Sequence, residues 1–340
     1  MSSEVVVLNA ECRTDLTDIL GELSDRANAF AVKSRGDGTR RAYKSAWDAY
    51  MDWCQAVGRD PLDSDPETLA LYVTARAKDL TVSSITVAVA AIREAHRLAG
   101  RPIPHNDVRL SMVLEGIRRA KGTRPARKAA PAVPNVLWRL LATRQPTYRP
   151  AGARDRAMML VGFGAALRRS ELVALRVGDV MVEPGYGLIV TIARSKADQH
   201  GEGREISVCQ NPDDPEFCPV LAYERWMIHR KGGPDGACPD RPLFCAVNRA
   251  DVLSGEPLCD RTVSRLMKHA ARMAGMEEGN YSGHSLRRGF ATAAARAGVG
   301  LADLMQQTRH TSIKVALGYI DEANRWKDNA SASVFRGSRY

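Results

Sequence analysis

Two stretches decide how this chain reads: Ser282-Gly-His-Ser-Leu-Arg-Arg-Gly-Phe-Ala-Thr292 and, downstream, Arg309-His-Thr-Ser-Ile-Lys-Val-Ala-Leu-Gly-Tyr319. The first predicts a helix. Ser282 is placed to cap it, Leu286, Phe290 and Ala294 recur every four residues, and Gly298 can end it. His284 and Arg287 then share one face of its first turn. The second predicts a helix from Thr311 or Ser312, with Ile313, Leu317 and Ile320 as its apolar stripe and Tyr319 near its end. Taken singly, each of these polar residues is more often packing or surface than chemistry, so the rest of the chain has to supply the context.

Just upstream, Asp260 is placed to cap a helix with a sharply divided surface. Val263, Leu266, Met267, Ala270 and Met273 form the stripe expected to be buried, and Arg261, Arg265, Lys268 and Arg272 take the other side, with Ser264 among them. Such a face suits either solvent or a DNA major groove. Further back, Gly187–Ala193 and Arg204–Val208 alternate as two strands around a polar loop that places Lys196 at the mouth of a hairpin. Leu167-Arg-Arg-Ser-Glu-Leu172 opens a helix, preceded by helices over about 135–143 and 153–166. The region 210–257 reads as irregular apart from a helix over about 219–230.

The front of the chain carries helices only. A short one (Leu16, Ile19, Leu20, Leu23) lies within residues 1–35. A long one is capped by Thr39, with Tyr43, Trp47, Tyr50, Met51, Cys54 and Val57 apolar. Others run over about 66–78, 83–99 (Ile85, Val89, Ile92 and Ala95 inward) and 106–121 (Val108, Met112, Leu114 and Ile117 inward). Arg40, Arg41 and Lys44 crowd the first turn of the long helix, where cations oppose the helix dipole. That placement makes sense beside a phosphate, and equally as a solvated face. Arg118, Arg119, Lys121, Arg124, Arg127 and Lys128 then run with no acid into Pro131 and Pro134, the composition of an exposed basic linker suited to a phosphate backbone. The expected plan is mainly α: an N-terminal segment 1–35, a helical domain 36–121, a linker 122–133, and a mixed, mostly helical domain 134–340 with a small antiparallel sheet and a tail from about 322.

Composition narrows the partners. The 340 residues suffice for two cores, and a formal net charge of +10 points to a polyanion, most commonly nucleic acid. No run is long enough for a membrane span or a signal core, so a cytoplasmic, nucleoid-associated location is expected. The seven cysteines include no C-x-x-C pair, leaving a zinc site on Cys238, Cys245 and Cys259 as an outside reading. Neither G-x-x-x-x-G-K-[ST] nor G-x-G-x-x-G occurs, so no nucleotide cofactor is expected.

Arg168, Glu171, Lys196, His284, Arg287, His310 and Tyr319 stand at the ends of expected elements or in loops. If a DNA phosphate is the substrate, two guanidiniums can grip its non-bridging oxygens and offset the charge of a five-coordinate transition state without a metal. The nucleophile is then Ser, Tyr or water. His284 can take a proton near neutrality, and a hairpin lysine can return one to the leaving oxygen.

Leu167-Arg168-x-Ser170-Glu171-Leu172, His284-x-Leu-Arg287-x-x-Phe-Ala-Thr292, and His310 nine residues before Tyr319 resemble the motif set of the tyrosine recombinase, or phage integrase, family. The likeness runs over nearly the whole chain. It implies a helical core-binding domain followed by the catalytic domain. It assigns Arg168 and Arg287 to the phosphate, His284 to proton handling, Lys196 to the hairpin lysine, His310 to a further phosphate donor, Glu171 to support and Tyr319 to the nucleophile. It implies a site-specific recombinase working through a 3′-phosphotyrosine and a Holliday junction. It also implies a homotetramer on two double-stranded sites with short inverted-repeat cores, joined by exchange of the C-terminal tail, with no cofactor. Alternatives are a type IB topoisomerase, a non-catalytic DNA-binding accessory factor, and a helical scaffold that binds no DNA. The segment before residue 36 is too short for an arm-binding domain. One residue departs from the family pattern: Arg309 stands where glycine is usual.

Overall fold

Three of the four front helices begin on a side chain made for the purpose. In a computed structural model that describes residues 36–123, 128–193, 203–233, 235–326, 331, 334 and 335, the carboxylates of Asp65 and Asp107 and the hydroxyl of Thr81 accept the free N–H groups at 2.8–3.2 Å. The helices they start are α2 (Pro66–Arg76), α4 (Val108–Lys121) and α3 (Val82–Leu98), following α1 (Asp37–Ala56). α1 begins two residues before the expected cap, from Gly36, so Thr39 lies inside it. Tyr50, Cys54, Leu69, Tyr72, Ile85, Val89, Ile92 and Leu110 fill the core of this part. In α4 the buried position is Leu110, with Val113, Leu114 and Ile117 beside it. Val108 and Met112, expected inward, are both 69% exposed, because the helix offers a second apolar face, Leu110, Val113, Leu114 and Ile117, and that one packs. Met51 and Val57 of the long helix are exposed for a similar reason: they flank the Tyr50–Cys54 stripe.

By their contacts the residues divide into two compact units, Met1–Pro125 and Ala126–Tyr340. The second unit is built on α6 (Pro150–Gly164), whose residues from Asp155 to Gly162 are buried all round, as expected of a helix surrounded by others. Around it lie α5 (Pro134–Ala142), α7 (Arg169–Ala174), α8 (Pro219–Lys231) and α9 (Arg261–Met273), then α10 (His284–Arg296), α11 (Leu301–Thr308) and α12 (Ile313–Ala323). An antiparallel sheet in the order β1 (Val180–Glu183), β2 (Gly187–Ile192), β3 (Arg204–Cys209) closes one side, with Val190 opposite both Val180 and Ile206. The ribbon β4 (Cys245–Val247) with β5 (Leu253–Pro257) falls where an irregular chain was expected, and β1 falls in a stretch for which no element was expected. At three to five residues, and with Gly255 and Pro257 inside β5, they carry no readable period and exist through their partners.

The segment expected as a free linker is in part docked. Residues 124–127, with Arg124 and Arg127, lie outside the described residues, but the Ala130 and Ala132 N–H groups donate to Asn280 and Ser285 carbonyls, and Ala132 is fully buried. Gly289 of α10 makes this possible, since a Cβ there would sit 2.2 Å from the Ala132 carbonyl oxygen. Among the described residues no helix is long and apolar enough to cross a membrane.

Candidate active site

The centre of the site is a three-residue turn, Ala165-Ala166-Leu167, between α6 and α7. Ala166 has φ +47°, unusual for a residue with a side chain, and this aims its carbonyl inward. The carbonyl accepts Nη1 of Arg287 at 2.7 Å and Nη2 of Arg309 at 3.2 Å. Arg168, immediately after the turn, precedes α7. The Glu171 carboxylate, three residues on, reaches back to accept the Arg168 N–H at 2.9 Å, the acidic half of a capping box, and takes the Arg168 guanidinium at 2.5 Å. The same carboxylate accepts Arg309 Nη2 at 2.9 Å. Burial alone would raise the Glu171 carboxyl. The Arg168 N–H, Arg309 and the Arg168 guanidinium outweigh it and hold the group below the usual carboxylate range.

Arg287 stands on the buried face of α10, 1% exposed, between Leu286 and Gly289. Desolvation, followed by the charges of Arg168 and Arg309, pushes it down to about 10, far below a normal arginine. Its Nη2 is buried and has no hydrogen-bond partner among the described residues. A buried guanidinium N–H without a partner is expensive, and the Glu171 carboxylate is already shared by Arg168 and Arg309; the arrangement suits an anion with several oxygens.

Two histidines and the tyrosine border the same place. His284 opens α10, its N–H accepted by the Ser282 hydroxyl at 3.2 Å; the residue at the cap position is Gly283, one later than expected. Desolvation, then Arg287 and Arg168, lowers the His284 pKa, so the ring is neutral at pH 7. His310 stacks on Tyr319, ring centroids 5.8 Å apart and planes at 27°. Its Nδ1 lies 2.8 Å from the Thr308 hydroxyl, and that hydroxyl lies 2.6 Å from the Leu304 carbonyl. A hydroxyl has one proton, and the carbonyl can only accept it, so Thr308 accepts from His310 Nδ1–H and the lone pair is left on Nε2. Burial, then Arg287 and Arg168, takes His310 down to about 4. Tyr319, half-buried, is raised by burial, against the pull of Arg288 and Arg287. Arg288 itself links Ala129 O (2.7 Å) to Glu322 (3.3 Å) at the end of α12.

Six of the seven expected site residues therefore come together, from α7, α10, α12 and the turns beside them; Lys196 lies outside the described residues. The sequence reading missed the αL turn at Ala166, which has no signature, and Thr308. Arg309 was noticed only as an oddity, although a lone arginine inside a Thr-Arg-His run at a helix end is a signal of a kind. Cys238, Cys245 and Cys259 form no metal-holding group, and none is found among the described residues.

The residues expected at DNA are distributed unevenly. Arg261, Arg265 and Lys268 project from α9, opposite Val263, Leu266, Met267 and Ala270; Ala271 takes the buried place expected of Met273, which is 61% exposed. Ser264 is turned to accept the Gly283 N–H at 3.2 Å, and Asp260, expected to cap α9, instead pairs with Arg169 at 3.1 Å. In the first unit Arg41 is exposed, Arg40 half-buried, and Lys44 pairs with Asp48. Arg118 and Arg119 share Glu115, Lys121 donates to the Ala77 carbonyl, and Lys128 is exposed.

The sequence profile described as "Phage integrase family" matches residues 134–325. The chain is 37% identical to the integrase/recombinase xerD homolog of Selenomonas ruminantium, covering 91% of this chain and 88% of that one. It is 25% identical to the recombinase cre of Escherichia phage P1, covering 80% of each. Among solved structures, the XerH site-specific recombinase bound to a palindromic difH substrate aligns with a TM-score of 0.59 at 17% identity, over 80% of this chain and 72% of that one. A lambda integrase dimer bound to a COC′ core site aligns at 0.57 and 18%, over 90% and 96%. At these identities the two structures speak for the fold.

Proposed function

The chain belongs to the phage integrase family of tyrosine recombinases and is a DNA strand-exchange enzyme, and we propose that it recombines specific double-stranded sites through a 3′-phosphotyrosine on Tyr319 and a Holliday junction. The observation that carries this reading is the buried Nη2 of Arg287, without a hydrogen-bond partner among the described residues, beside Arg168, His310 and Tyr319.

A scissile phosphate set there receives Arg168 and Arg287 on its non-bridging oxygens. Tyr319 Oη attacks phosphorus and the P–O5′ bond breaks. The phenol proton passes to His284, whose lowered pKa keeps its ring ready to accept one, and Lys196 protonates the departing O5′. The 5′-hydroxyl of the partner strand then reverses these steps and frees Tyr319. His310, with Nδ1–H committed to Thr308, donates to the phosphate from Nε2 only as the cation. The arriving anion offsets the arginine charges that keep the ring neutral, so binding and protonation of His310 go together.

Residues 36–121 serve as the core-binding domain and 134–340 as the catalytic domain, with the basic face of α9 in the major groove. Tetramer assembly through the C-terminal tail is supported by α12, where Ile313 and Val315 are 57% and 48% exposed, and by Trp326 at 84%. DNA flanking the protein's own gene, incubated with wild type and Tyr319→Phe, tests the reading: a covalent adduct is expected from the wild type alone. An adduct from the phenylalanine variant removes Tyr319 as nucleophile. Truncation at residue 322 is expected to keep single-site binding and lose synapsis.

A further inference from the structure

We infer that Arg309 is a positioning residue for strand cleavage, its buried fork holding in register the two groups that present the phosphate-binding arginines: the Glu171 carboxylate and the carbonyl of Ala166. This rests on the proposed function for its consequence, and on geometry for its content.

Arg309 is 3% exposed, and its backbone is left-handed at φ 55°, ψ 42°, where it ends α11. Glycine takes that conformation without strain and any side chain pays for it, so a residue with a large buried cation here has to be held by what it touches. Nη1 donates to the carbonyls of Ala165 (3.0 Å) and Gln307 (3.1 Å), and Nη2 to Ala166 O (3.2 Å) and Glu171 Oε2 (2.9 Å). Of these acceptors, Glu171 also grips Arg168, and Ala166 O also grips Arg287. One guanidinium therefore bridges the supports of both arginines and ties them to the turn that carries His310. A lysine's compact ammonium has three donors on one atom and lacks the planar fork whose separate nitrogens reach Ala165 and Gln307 on one side and Ala166 and Glu171 on the other. Arg309 does not itself touch the place for the phosphate; it acts through Arg168 and Arg287.

The test uses full-length Arg309→Gly and Arg309→Lys, assayed below their melting temperatures. Two readouts are taken: adduct formation on DNA flanking the protein's own gene, and titration with inorganic phosphate followed on the NMR ring signals of His284 and His310. The expected result for Arg309→Gly is cleavage slower by about 10²-fold, as for a small misplacement of catalytic groups, with DNA affinity unchanged. Phosphate binding at the histidines is expected to weaken in parallel. Arg309→Lys, which keeps the charge and loses the fork, is expected to stay slow. Variants that cleave and bind phosphate within twofold of wild type overturn the inference, whatever happens to their melting temperature. If wild type itself forms no adduct but phosphate binding weakens in Arg309→Gly, the cleavage reading fails and the positioning role stands. If wild type cleaves and both variants match it, the positioning role alone fails.

Discussion

α10 and α12 both bring residues to the same site, and they are held very differently. α10 buries Ser285, Leu286, Arg287, Gly289, Ala291, Thr292 and Ala295, with the Ala130–Ala132 segment bonded along it and Phe290 edge-on to Phe163 of α6. α12 buries Ala316 alone, while Ile313, Val315 and Leu317 face outward. Arg287 is thus part of the core, and the tyrosine rides on a helix that packs on α10 and α11 through a narrow face centred on Ala316 and is pinned further by the Arg288–Glu322 pair and the His310 stack. A cradle must be rigid because its benefit comes from donors already aimed at the developing charge. A nucleophile that attacks, stays covalently attached and is released gains from a carrier that can shift.

The widest test of this contrast removes one group from each helix. Tyr319→Phe is expected to abolish the adduct and leave the melting temperature and DNA gel shift as they were. Arg287→Met is expected to slow cleavage by about 10³–10⁵-fold, the usual worth of a transition-state arginine. Yet it should raise the melting temperature, because it replaces a crowded, incompletely bonded buried cation with an apolar chain. A fall in melting temperature would mean that Arg287 is there for the core first. Next in size, Leu286→Ala in α10 should cost about 2–5 kcal/mol by chemical denaturation, whereas Leu317→Ser in α12 should stay within about 0.5 kcal/mol. Equal costs would erase the distinction.

The last expected effect is in pH and is spread over several pH units. The folded-state pKa values of His284 and His310 lie below the unfolded value, His310 at about 4. Below about 6.5 the unfolded chain therefore binds protons that the folded one refuses. Stability is complete above that pH and declines as pH falls from about 6.5 toward 4, on the order of 1 kcal/mol or more. His310→Gln should flatten the slope in thermal melts, and inorganic phosphate should flatten it in wild type, where the anion admits the proton. A slope indifferent to both would show that the ring is not under the arginines' influence.

Much of this architecture was legible in advance, for reasons that differ by element. The 3.6-residue period of α3 and α9 and the alternation of β2 are local properties, and they survive folding because burial follows them, whereas Thr39, expected as a cap, lies inside α1 and Asp260 makes no capping bond. Phase errors arose where two apolar faces competed, as at Val108 and Met112 against Leu110. β1, β4 and β5 were invisible because strands of three to five residues are chosen by the partner they pair with. In the candidate site, Arg168, Glu171, His284, Arg287, His310 and Tyr319 were singled out by their place at element ends and by likeness to a family motif set, and the structure brings them together across a separation of more than a hundred residues.

What the chain's own order determined is the inventory: helices with one apolar side, a basic surplus, and a set of arginines, histidines and a tyrosine in the order of the family's motifs. What only the tertiary structure decided is how those charges tolerate each other. Glu171 stabilises two arginines at once, Ala166 turns its carbonyl inward through an αL backbone, and Arg309 fills a glycine's place to reach both. No local rule sets these, because the energy of a buried charge depends on every group within a few ångströms, and those neighbours come from α6, α7, α10 and α11 together.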